Sequence, residues 1–189
     1  MRSGNQYLIE KARRTASHKR AAGILLSCLA FVLTGPVSPC HALDNEKTRA
    51  SLRGIPGFYL VVEDLRVEIE EDGLTRNEIH RIAGEHLTAA GIRLLSGAEW
   101  EETPGSPWLY LYAHVMRRGH GDDRVYVFNI SVEVKQRVNL AEKPDSEEIH
   151  ATTWSRSILG RSAWIEDIKK GVEACIHDFV EAYRSVNGP

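Results

Sequence analysis

The chain has 189 residues, 42% hydrophobic and 26% charged, with a formal net charge of −2. These values exclude collagen-like, low-complexity and wholly disordered chains. Of its 24 basic and 26 acidic side chains, six basic and one acidic fall in residues 1–42, leaving 18 and 25 to the remainder; so acidic a body argues against nucleic acid as main partner.

Residues 1–42 read as a secretory signal peptide. A basic segment (Arg2, Lys11, Arg13, Arg14, Lys19, Arg20) precedes the uncharged run Ala21 to Thr34, and Cys40-His41-Ala42, small at its first and third places, offers a cleavage site after Ala42. The run is 14 residues long, short of the roughly 20 that span a bilayer. The alternative is an uncleaved inner-membrane anchor, which Pro36 and Pro39 disfavour by breaking a longer helix. Pro39 also disfavours lipidation of Cys40, because the residue before a lipidated cysteine is small and flexible. The body is therefore expected in the periplasm or outside the cell, with no membrane span after cleavage. Cys175 is then the only cysteine left, and no internal disulfide forms.

Residues 43–56 are polar and predict a loose lead-in to a single domain over 57–187. Phe58 to Ile69 is rich in β-branched residues and predicts a strand. Thr75 and Glu78 have the spacing of a capping box, and Ile79, Ile82, Ala83, His86, Leu87 and Ala90 form one helical stripe. Gly91 stands where a left-handed terminator is wanted. Ile92 to Leu95 suggests a short strand, and Ser96 to Pro107, with two Pro and two Gly, a long loop. Strands are predicted over 108–117, 125–140 and 149–160, the first two joined by a turn over 118–123. Ser162 then caps a long helix with the stripe Ile165, Ile168, Val172, Cys175, Ile176, Phe179 and Val186. This order predicts an α+β fold: a two-layer sandwich of a mostly antiparallel four- to five-stranded sheet with two helices on one face.

No motif carries an enzymatic chemistry. His80 and His86 are six apart on one helix, about 600° of rotation, so they face different sides; HExxH and CxxC are absent. His120 with Asp122 and Asp123 makes at most a weak cation site, since one turn supplies too few ligands. The sequence holds no GxSxG, GxGxxG or GxxxxGK, and Cys175 sits mid-stripe as a core thiol. The acidic run Glu68, Glu70, Glu71 and Asp72 reads as a solvated strand end or turn. No catalytic residue, metal or cofactor is assigned.

Aromatic placement stands out. Trp108, Tyr110, Tyr112 and His114 share one face of their strand, with Leu109, Leu111, Ala113 and Val115 on the other. On the next strand Tyr126, Phe128, Ile130, Val132, Val134 and Val138 face inward. Register decides which face of the first strand joins them. Paired positions summing to about 241, an odd number, put Leu109, Leu111 and Val115 in the core and Tyr110 and Tyr112 on the open face. Even sums reverse this. Trp154, among hydroxyl residues, is either an anchor on the sheet or a contact residue. Trp108, Tyr110, Tyr112 and Trp154 are thus the candidate partner-binding residues.

The order of elements from about Phe58 to Val186 resembles small bacterial envelope domains. These include the lipoprotein that plugs the lipopolysaccharide translocon, auxiliary lipoproteins of envelope transporters and the amino-terminal domain of TolB. The resemblance is one of topology and implies no functional residues. The expectation is a non-catalytic exported domain acting on an unknown protein partner in the cell envelope. The alternative is an exported enzyme or small-ligand carrier whose site is assembled from distant residues.

Overall fold

A computed structural model describes residues 43–119, 121–143 and 148–188. The leader, the cut after Ala42, Cys28, Cys40 and His120 lie outside the described residues. Elements in chain order are α1 (Glu46–Ala50), β1 (Tyr59–Val62), α2 (Val67–Glu71), α3 (Arg76–Ala89), α4 (Gly97–Glu102), β2 (Trp108–Arg118), β3 (Val125–Val138), β4 (Ile149–Ser162) and α5 (Ile165–Asn187). The strands form one sheet in the order β1-β2-β3-β4. β1 runs parallel to β2, and the other two pairings are antiparallel. The fold is α+β.

Strand alternation builds the core. Leu60 and Val62 of β1, Leu109, Leu111 and Val115 of β2, and Tyr126, Phe128, Ile130, Val132 and Val134 of β3 are buried on one sheet face. The stripes of α3 and α5 cover them in a single apolar cluster. β2 pairs with β3 as Trp108↔Lys135 and Leu109↔Val134, so paired positions sum to 243. The sum is odd as expected, but the strands are shifted by two residues from the anticipated pairing. Opposite Phe128 the sheet carries Gly160; a Cβ there would run into the Phe128 ring.

Helix ends follow local chemistry. Thr75 Oγ1 accepts the Glu78 N–H at 3.1 Å, but Glu78 turns its carboxylate to Arg81, so the capping box is half made. Gly91 has φ +76°. The Gly91 N–H reaches Thr88 O and the Ile92 N–H reaches Leu87 O, a Schellman ending to α3. His86 is exposed and does not belong to the buried stripe. Ser162 stands two residues before the N-cap of α5, which is Trp164; its Oγ accepts the Trp164 N–H and donates to Asp167.

Four expectations change. The predicted strand over 58–69 stops at Val62, and Val67 to Glu71 is helical. Val67 is exposed and Ile69 fully buried; residues two apart share a strand face but lie about 200° apart on a helix. The lead-in over 43–56 is not loose. Asn45 makes a capping box with Thr48, and Leu52 and Ile55 enter the core. Ile92 to Leu95 forms only an isolated bridge, Leu94 to Phe58. Part of the predicted loop over 96–107 is α4, capped reciprocally by Ser96 and Glu99.

Candidate functional site: the open face of the sheet

The helices α3 and α5 leave the second sheet face to other side chains. On β2 these are Trp108, Tyr110, Tyr112 and His114, paired across β3 with Lys135, Glu133, Ser131 and Asn129. Ring centroids step along the strand, 6.1 Å from Tyr110 to Tyr112 and 5.0 Å from Tyr112 to His114. Lys135 Nζ sits 4.1 Å above the Tyr110 ring, a cation–π contact. Glu133 accepts from Tyr112 Oη at 3.4 Å and Thr152 Oγ1 at 3.2 Å, and pairs with Lys135 at 3.4 Å. Burial, with a hydrogen bond to Glu63 that favours the neutral phenol, raises the Tyr110 pKa.

At the Trp108 end of β2 the rings close into a cluster. Trp108 stacks on His150 at 4.8 Å and lies 5.3 Å from Trp100 of α4, which is 5.8 Å from Tyr59. The indole Nε1 atoms of Trp100 and Trp108 are both buried without a hydrogen-bond partner among the described residues. At the opposite end, Met116 and Leu159 are exposed beside a shallow 360 Å³ depression that also takes in Asp64, Arg66, His114, Val127 and Asn129.

Trp154 does not belong to this surface. It is fully buried under α5, 5.4 Å from the Phe179 ring, and its Nε1 donates to Asp44 Oδ1 at 3.0 Å. Asp44 is itself clamped by Arg49 at 2.5 Å. The Arg49 hydrogen bond, opposed by burial and helped by Trp154, holds the Asp44 carboxyl below its ordinary range. A carboxylate from the lead-in thus satisfies an indole that would otherwise need water. Trp154 is a core residue and is withdrawn from the partner-binding set. Tyr59, Trp100 and His150 were missed. The sequence signal for Trp100 was Ser96-x-x-Glu99, a capping box inside a stretch whose Pro and Gly suggested only loop; nothing local marked Tyr59 or His150.

Cys175 is buried, its Sγ 3.8 Å from Ile130 O, and burial pushes its thiol up to about 12. A thiol this hard to ionise is a poor nucleophile. In the folded protein at pH 8, Cys175 is expected to resist iodoacetamide and to label once urea unfolds the chain, with peptide mass mapping as the readout. A raised thiol pKa favours the folded state less as pH rises, because only the unfolded chain ionises above about pH 8.5. Among the described residues one trio brings potential metal ligands within 4.8 Å of one another, His177, Asp178 and Glu181 on α5. Asp178 is committed to Arg156 at 2.6 Å, and His177 and Glu181 are exposed.

Among the described residues no helix is long and apolar enough to cross a membrane. Compared with known proteins, the chain matches no family, no curated protein and no solved structure.

Proposed function

We propose that this protein is a non-catalytic, exported binding domain that holds a protein partner of the cell envelope on the open face of its sheet. The observation that carries this reading is the asymmetry of the two faces. One is closed by α3 and α5, while the other presents Tyr110, Tyr112 and Trp108 half-buried in a row with Tyr59 and Trp100 beside them. Large, rigid aromatic side chains with polar tips are what protein interfaces concentrate at their centres. Lys135, Glu133 and Glu63 supply charge around the ring row, as an interface rim does. The leader makes the envelope the expected compartment.

The test replaces Tyr110 and Tyr112 together with Ser. Neither ring fills the helix-covered core, so the melting temperature should stay within a few degrees of wild type. Crosslinking in intact cells, read by mass spectrometry, should lose the species that wild type captures. A large fall in melting temperature would show that the tyrosines support the fold, and undiminished crosslinking would remove the partner from this face. Saturable capture of a small molecule, lost on substitution at the depression beside Met116, would favour a ligand carrier instead.

A further inference from the structure

The two edges of the sheet are treated differently. β1 is four residues long; the chain around Leu94 pairs with Phe58 just before it, the Phe58 N–H donating to Arg93 O and the Leu95 N–H to Phe58 O, both at 2.9 Å, and Arg76 Nε donates to Val62 O at its end at 2.8 Å. β4 is fourteen residues long. Among the described residues, Leu43 bridges Ser155 in antiparallel sense, the Ser155 N–H donating to Leu43 O at 3.3 Å, and Ser51 Oγ donates to Thr153 O at 3.5 Å; neither contact reaches beyond Ser155.

The Ser155 bond fixes the orientation of the whole edge. If Ser155 turns its backbone groups away from β3, strand alternation turns those of Ser157, Leu159 and Arg161 the same way. The single register shift of the β3–β4 pair lies at Val134/Lys135, on the far side of Ser155. Among the described residues no partner for these outward groups is found. Edges of this kind are commonly protected by proline, lysine or a bulge, and residues 156–162 contain none of these. Leu159, at the centre of the stretch, is 64% exposed.

We infer that this edge pairs with the same edge of a second copy, antiparallel about a two-fold axis at Leu159, joining two four-stranded sheets into one. Three features favour a second copy over another strand. The stretch between the Leu43 bridge at Ser155 and the end of β4 at Ser162 is centred on Leu159, so a two-fold there uses all of it. Leu159 meets its own symmetry mate, covering the exposed side chain. Arg161, the charged residue of the outward set, faces Ser157 rather than another arginine, while Arg156 is held by Asp178. A dimer of this form follows whatever the aromatic face binds, and it would make the two open faces continuous.

The test uses protein purified after expression of the full 189-residue chain. Sedimentation equilibrium over a dilution series should show a monomer–dimer transition, and hydrogen exchange at the Leu159 amide should slow as the dimer fills. Leu159→Pro removes an outward N–H and leaves the β3–β4 ladder intact. Leu159→Lys keeps the backbone and sets two charges against each other at the axis. Each should raise the dissociation constant by at least about tenfold, with the Lys variant deciding the matter if the Pro variant folds poorly. A protein that stays monomeric throughout, a dimer indifferent to Leu159→Lys, or a Leu159 amide protected equally at every dilution would each overturn the inference; the last would assign the edge to the protein's own chain.

Discussion

Phe179→Ala is expected to lower the free energy of unfolding by about 3–5 kcal/mol, the range for removing a fully buried aromatic ring. Phe179 is fully buried on α5. Its ring meets Phe58 edge-on at 5.3 Å, Trp154 at 5.4 Å and Tyr183 at 6.3 Å. These neighbours come from the chain entering β1, from β4 and from α5 itself, so one side chain ties the helix to both ends of the strand order. The surrounding rings are stiff and Trp154 is fixed by its bond to Asp44; the hole left by alanine cannot close by small rotamer changes. Urea unfolding should show a lower midpoint with an unchanged slope. An unaltered midpoint would mean that α5 is not seated on the sheet as described.

The same residues show how far the sequence carries. The stripe of α5 is legible because its period is long and uninterrupted, and the faces of β2 and β3 because apolar and polar residues alternate cleanly. The parity of the β2–β3 register followed from one physical preference: aliphatic side chains fill a sheet–helix interface without leaving a hydroxyl to satisfy. Short segments were harder. Val-Glu-Ile-Glu-Glu over 67–71 fits a strand or a helix, and what decides between them is tertiary: β1 pairs with β2 over only four residues, after which the chain turns off. Trp154 was ambiguous because its burial depends on Asp44, 110 positions away in sequence. The aromatic site was half legible, since Trp108, Tyr110 and Tyr112 share one strand. Tyr59, Trp100 and His150 join them only through sheet order and the placement of α4.

The acidic run after Glu68 holds the second large effect. Read locally, Asp72 is one more solvated carboxylate; in the fold it is a buried hub. Its side chain is 7% exposed and takes Arg117 Nη1 at 3.1 Å, Arg124 Nη1 at 2.8 Å and Tyr126 Oη at 2.9 Å. Asp72 is the C-cap of α2, a position where the helix dipole disfavours negative charge, and the two guanidinium groups from the β2–β3 hairpin offset that cost. Asp72→Ala is therefore expected to destabilise the protein by about 2–3 kcal/mol, chiefly because the Tyr126 hydroxyl, on a residue 2% exposed, loses its carboxylate acceptor. The arginines are partly exposed and regain water, which keeps the cost below that of breaking a fully buried ion pair. Tyr126→Phe should cost about 1 kcal/mol in wild type but should stabilise the Asp72→Ala variant by about 1 kcal/mol, since there it removes a hydroxyl left buried without its acceptor. Urea titration of the four proteins gives the coupling directly. Additive losses would mean that hydroxyl and carboxylate act separately, and that the hub does not tie α2 to the hairpin.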